Sequence, residues 1–349
     1  MQLVDKGELS VDSTMSTVYS RLKGTNKENL LIRDVLCHNA GLTTYIPFFN
    51  NAVKREEGQE PFLTYRKTKT NTLKVYDNLY VDPNYVFRDS TISSRSGKDY
   101  IKRTPHLYIH KHYKDSILEN LISSELRPKI DYAYSDLGFI LLKYGIEEKT
   151  NTQIENLVDS VYYVRLGMNN TSYLPLKKFS TTRIIPSSYD NLFRKAKLQG
   201  YVHDPTAALL GGVAGHAGIF STAEDLAKMM QMYLNGGSYG EEVFLRPATL
   251  SKFTTRNTYF KDNRRGLGFD KPEGNSRKVN PASDFMSLES FGHTGFTGTA
   301  AWCDPENELI CIFLSNRTYP SEFNKKLIQT NVRTDIQDVI YKKMLKITK

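Results

Sequence analysis

The sequence predicts an α+β fold, with helices and an antiparallel sheet drawn from separate stretches of the chain. Three observations carry that expectation. Two apolar runs, 297–303 and 309–315, flank the turn-forming Asp304-Pro305-Glu306-Asn307 and read as an antiparallel hairpin. The stretch 137–149 is apolar on most faces, as a buried helix is. The tail from 322 to 347 places Ile328, Val332, Ile336, Ile340 and Met344 four apart, a stripe expected to cover one face of the sheet.

The remaining elements follow in order. Residues 1–7 carry an apolar pattern with no capping residue ahead of it and run into a turn at Lys6-Gly7-Glu8, which reads as the last turns of a helix. A second helix is expected over 29–38, ended by Asn39-Ala40-Gly41 with Gly41 as the left-handed stop. From 54 to 114 the chain turns polar, basic and tyrosine-rich with poor periodicity, a long excursion with short strands and no separate domain. Ser135 or Asp136 caps the buried helix and leaves Tyr134 at its mouth. Ser221-Thr222-Ala223-Glu224 reads as a capping box opening a helix that runs to Asn235, where Gly236 and Gly237 close it.

At 349 residues the chain can bury a large core. It is expected to form a single domain over 1–349, with a helical lobe at 30–250 and sheet strands plus a helix at 290–349. No apolar run approaches the roughly 20 residues that span a bilayer, the longest being 139–142. The first residues do not read as a signal peptide. Cys37, Cys303 and Cys311 have neither metal-like spacing nor an even count, so they read as buried or half-buried thiols. The net charge of +9 favours anionic surfaces, but basic and acidic residues are interleaved without a nucleic-acid-binding motif, and nucleic acid is not an expected partner.

Two short motifs point to chemistry. In Tyr134-Ser135-Asp136 the phenol, ordinarily near pKa 10, becomes a usable general base when cations lower it; otherwise it is a packing residue. His293-Thr294-Gly295 precedes Phe296-Thr297-Gly298 on an apparent strand, where glycines let an extended ligand lie along the backbone. The glycine-rich 211–218 has no Lys-Ser or Lys-Thr after it and is not a phosphate loop; tight turns and close packing account for its glycines. His106, His110 and His112 are spaced for a helical metal face, but Pro105 and the strand-like Leu107-Tyr108-Ile109 oppose a helix, and solvated histidines are expected. Neither a metal nor a cofactor is predicted.

Taken in order, five stretches resemble the serine beta-lactamase superfamily, in particular its class C-like branch with DD-peptidases and esterases: 31–42, 134–142, 215–226, 292–295 and 314–320. The wording at 23–29, 200–205 and 265–270 is similar to beta-lactamase-like domains fused behind family-3-type glycoside hydrolases. The resemblance implies two lobes, one helical and one an antiparallel sheet flanked by helices, with acyl-enzyme chemistry between them. By it, Tyr134 is the general base or part of a base pair. Asp136 stands where Asn is usual and orients the substrate amide, and His293 replaces the commoner Lys as a donor to a substrate carboxylate. Thr294, Gly295 and Phe296 bind substrate, with the Phe296 N–H as half an oxyanion hole. The implied partners are a small-molecule or peptide acyl substrate and an upstream glycoside hydrolase domain, in the periplasm or cell envelope.

The chain also departs from that pattern. The family's Ser-x-x-Lys belongs on the helix that ends near Met1, and two strands of its sheet precede that helix. The expectation is a truncated domain with no acyl acceptor and an exposed sheet edge. The one Ser-x-x-Lys present, Ser20-Arg21-Leu22-Lys23, lies in a loop-like stretch and is expected to be inert. The expected function is thus a serine acyl hydrolase silent in this chain. The alternatives are a non-catalytic module for cell-wall peptide or glycan, and a decayed gene fragment.

Overall fold

The fold is α+β as expected, helices with antiparallel strand pairs, in a computed structural model that describes residues 1–76, 78–104, 106–274 and 280–346, although short strands at 172–243 are interleaved with helices. Gln2–Asp5 is a short helix that ends at Gly7, where φ is +74°. The helix Leu137–Thr150 crosses the largest core, with Leu137, Ile140 and Leu141 fully buried against Val35, Ile117 and Leu121. Its start is set by Ser135, whose Oγ accepts from the Leu137 N–H at 3.3 Å, while the Asp136 side chain caps nothing.

The excursion forms a hairpin, Leu73–Tyr76 with Leu79–Val81, and a three-stranded sheet in the order Ile92–Ser93, Leu107–His110, Tyr100–Thr104. Val81, Ile92, Leu107 and Ile109 join the same core as the helix Tyr113–Ser123, so this stretch packs onto the helices around it. Leu107–His110 is a strand, as the sequence suggests, while Pro105 lies outside the described residues.

The C-terminal sheet runs Phe291–Thr294, Ala300–Asp304, Leu309–Phe313, all antiparallel. The period of two sorts its central strand: Ala300 and Trp302 face Met286 and Tyr341, whereas Cys303 faces Met230 and Phe291. Helix Ala223–Leu234 covers that second face. Gly292 is obligatory beside Trp302, because a Cβ there would stand 2.2 Å from the Ala301 carbonyl oxygen and 2.7 Å from the indole. Leu309–Phe313 has no strand on its outer side among the described residues. No helix among them is long and apolar enough to cross a membrane. Cys37 and Cys303 are buried thiols and Cys311 is half-buried.

Four expectations need correction. The helix at 29–38 is only Ile32–Leu36, because Leu31 is taken into a bridge with Thr14; the left-handed stop is His38, at φ 58°, rather than Gly41. The cap is Thr222, not Ser221: Thr222 Oγ1 accepts from the Asp225 N–H, Ser221 bonds Thr171, and the Asp225 carboxylate turns to Asn170 and Thr171. Residues 296–298 form the turn between two strands and are not part of a strand. The last helix is two, Lys326–Gln329 and Val332–Met344, and its buried residues are Gln337 and Tyr341, while Ile328, Ile336 and Met344 are exposed. A strict spacing of four drifts about 40° per step around a helix, so the stripe winds off any one face. Polar partners fix the buried face instead. Tyr341 donates to Asp304 at 2.6 Å and Gln337 accepts from the Ser283 N–H at 2.8 Å. Its expected end at Ile347 lies outside the described residues.

Candidate active site

The mouth of the helix Leu137–Thr150 meets the strand Phe291–Thr294, and the two sequence motifs come together there. The Tyr134 ring is 6.0 Å from the His293 ring and lies 4.3 Å from that of His38. His38 is held by its left-handed backbone and by the Ser135 N–H, which donates to its Nδ1 at 3.0 Å. Ser135 Oγ donates to the Thr43 carbonyl at 2.6 Å.

Arg265 completes this group, its guanidinium 5.4 Å from the centre of the Tyr134 ring and bonded to His293 Nε2. It is placed by Asn263, which accepts from the Arg265 N–H and donates to the Cys37 carbonyl at 2.7 Å, tying this loop to the turn that holds His38. Arg264 takes both nearby carboxylates, Asp270 at 2.8 Å and Glu273 at 3.2 Å. Arg265, only 2 % exposed, has no carboxylate within ion-pair distance among the described residues, and its Nε has no partner.

This charge sets the protonation of its neighbours. Because Arg265 can only donate, His293 accepts at Nε2 and carries its proton on Nδ1, which donates to the Thr294 carbonyl at 2.7 Å. Burial, then Arg265, lower the His293 pKa. The free donor expected of His293 is therefore absent, and the cation at this position is Arg265. Burial, with Arg265 and His293, brings His38 down to about 3. Tyr134 goes the other way, to about 12, through burial and the charge of Asp136, against the opposing pull of Arg265.

Thr294 ends its strand opposite Ala300, and the Gly295 N–H donates to the Thr299 carbonyl at 2.8 Å. Phe296 is 55 % exposed at the turn, its ring 5.3 Å from that of His203 and under Arg317; its own N–H has no acceptor among the described residues. Asp136 points to a different group. Its carboxylate, an Asp204 carboxylate oxygen and a His216 ring nitrogen all lie within 4.8 Å of one another. His216 Nε2 bonds Asp204 at 2.8 Å, and Asp204 caps the helix Pro205–Leu209 by accepting from the Ala207 N–H. The loop carrying His216 is pressed onto the buried helix at Gly215, where a Cβ would stand 2.0 Å from the Phe139 carbonyl oxygen. Ser20 lies elsewhere, its N–H on Glu148 at the far end of the helix Leu137–Thr150, roughly 17 Å along the axis.

Sequence reasoning missed His38, Arg265, Asp204 and His216. Asp204-Pro205 carries a readable helix-start signature, and His216 is the one titratable residue in its glycine-rich stretch, but nothing local pairs them.

The whole arrangement has relatives. A family model described as "Beta-lactamase" matches residues 1–333. A Salmonella gallinarum protein named "Putative D-alanyl-D-alanine carboxypeptidase" is 34% identical over 215 residues, 58% of this chain and 49% of its own length. One of the same name from Escherichia coli K12 is 28% identical over 346 residues, covering 89% of this chain and 72% of its own length. The chain thus spans about half the length of the first of these relatives. The crystal structure of a penicillin-binding protein homologue from Caulobacter crescentus superimposes with a TM-score of 0.54 at 16% identity, over 90% of this chain and 73% of that one, and shares the fold. With the family model matching residues 1–333, from the first helix through the C-terminal sheet, the chain belongs to the Beta-lactamase family.

Proposed function

We propose that this chain supplies the substrate-binding face of an acyl hydrolase of the DD-peptidase, beta-lactamase and esterase type, for substrates that end in a free carboxylate. Arg265 carries this reading. It is a buried cation that feels Asp270 at longer range but has no ion-pair partner among the described residues, and a substrate carboxylate beside His293 and Thr294 would give it one. The extended substrate then lies along Thr294-Gly295, and the unpartnered Phe296 N–H donates to its carbonyl oxygen. Asp136 orients the substrate amide. Tyr134, with its pKa raised to about 12, is protonated at neutral pH and serves as a hydrogen-bond donor at the reacting centre; it becomes a base when a second cation stands beside it. By the same resemblance the chain folds as one domain, the wider protein carries a family-3-type glycoside hydrolase upstream, and it works at the cell envelope.

None of the serines described at the site is poised as a nucleophile: Ser135 spends its hydroxyl proton on the Thr43 carbonyl, and Ser20 is remote. Loss of a nucleophile costs about a millionfold in rate, so the chain alone is expected to bind without turnover. Calorimetry with an N-acylated D-alanyl-D-alanine peptide should give binding that Arg265→Gln weakens by about tenfold or more. Nitrocefin and ester hydrolysis should appear only after a Ser-x-x-Lys segment is fused ahead of Met1. Binding indifferent to Arg265→Gln would remove the carboxylate reading. Turnover by the chain alone, lost in Tyr134→Phe, would overturn the missing nucleophile. Binding without turnover after fusion is the signature of a non-catalytic cell-wall peptide or glycan module.

A further inference from the structure

We infer that His38 is the positioning residue of Tyr134: it grips the backbone on both sides of that tyrosine and backs its ring, holding the phenol beside His293 and Arg265. The inference rests on the acyl-hydrolase reading above, in which Tyr134 donates a hydrogen bond at the reacting centre. The His38 carbonyl accepts from the Ala133 N–H at 3.0 Å, and its Nδ1 accepts from the Ser135 N–H at 3.0 Å. Tyr134 lies between these two bonds, its ring 4.3 Å from the imidazole and tilted by 34°. Ser135 in turn starts the helix Leu137–Thr150, so the grip ties Tyr134 to a rigid element.

A second observation concerns the backbone. His38 holds φ at 58°, the left-handed region that favours glycine. A residue that only ended a helix would be served as well by glycine. Here a buried imidazole is kept in that conformation, packed against Phe139 at 5.3 Å and edge-on to Tyr132 at 6.3 Å as well as against Tyr134. Backbone outliers of this kind persist where the surroundings over-determine them, and they gather at functional sites. Because a backbone N–H can only donate, Nδ1 is the acceptor and the ring proton sits on Nε2. Burial, with Arg265 and His293, keeps the ring neutral down to about 3. His38 therefore takes up no proton at working pH, and it acts through the placement of Tyr134.

The test compares three variants of the full chain by amide hydrogen exchange and by calorimetry with the N-acylated D-alanyl-D-alanine peptide. His38→Gly suits the left-handed turn but removes the grip. The Ser135 amide should then exchange about tenfold faster, while amides inside the helix Leu137–Thr150 keep their rates. His38→Asn places its Oδ1 where Nδ1 stood and should recover the Ser135 rate; His38→Gln, whose Oε1 replaces Nε2, should not. This second pair decides the matter if His38→Gly does not fold. Peptide binding should weaken by about fivefold in His38→Gly, with no further loss when that change is added to Tyr134→Phe. An unchanged Ser135 rate in His38→Gly, or equal rates in His38→Asn and His38→Gln, would overturn the grip. Equal weakening with and without the Tyr134 hydroxyl would show that His38 does not act through it. A wild type that fails to bind the peptide defeats the acyl-hydrolase reading instead, and the exchange rates still decide whether His38 holds Tyr134.

Discussion

Tyr134 and Asp136 are two residues apart, yet they belong to opposite electrostatic worlds. On the Tyr134 side stands Arg265, without an ion-paired carboxylate among the described residues and flanked by two imidazoles. On the Asp136 side two carboxylates share one imidazole. The histidines register the difference. Burial and Arg265 hold His38 neutral to about 3; burial also opposes the charge on His216, but the bond and charge of Asp204, with Asp136, outweigh it and raise the pKa. Burial alone therefore does not decide a histidine's charge; its nearest partner does.

The largest expected effect is on pH dependence. The folded pKa of His38 lies below its unfolded value, so between about 6.5 and 3 the unfolded chain binds the extra proton and stability falls as pH falls, by on the order of 4 kcal/mol across the window. His216 has the opposite sign: its contribution is full below the unfolded value and is lost as pH rises through the raised folded value. Urea unfolding of the protein from pH 4 to 8 should therefore show His38→Gln flattening the acid limb and His216→Gln leaving it in place. Identical limbs in the two variants would erase the contrast.

Gly215→Ala tests whether close packing alone seats the acidic side. The added methyl meets the Phe139 carbonyl at 2.0 Å, and a loss of about 3 kcal/mol is expected from denaturant titration. A neutral result would mean that the loop shifts freely and that the cluster is not preorganised. Smallest in size, but opposite in sign at neighbouring positions, are the two arginines. Arg264→Gln leaves Asp270 and Glu273 without their ion-paired cation and should destabilise by about 2 kcal/mol, whereas Arg265→Gln removes a buried charge that has no direct ion pair among the described residues and should stabilise by about 1 kcal/mol. Destabilisation by both would show that Arg265 already has its counter-charge.

Helix Leu137–Thr150 and the hairpin were legible because their signals are local. An all-round apolar run with a cap, or two β-rich runs about a turn, has few other ways to bury itself. The last helix was misread for the converse reason: Asp304 and Ser283, distant in sequence, select Tyr341 and Gln337 over the isoleucines. Likewise the second helix starts only at Ile32 because Leu31 is drawn into a bridge with Thr14.

The sequence by itself determined the fold class, the family and the positions of the two motifs, since these rest on residue order and short-range periodicity. Tertiary structure decided which charges meet. It gave Arg264 the ion pairs with Asp270 and Glu273 and left Arg265 without one among the described residues, made His293 an acceptor toward Arg265, and brought Asp136 beside Asp204 and His216. Coulomb energies depend on separations in space and on burial, and no spacing along a chain encodes those.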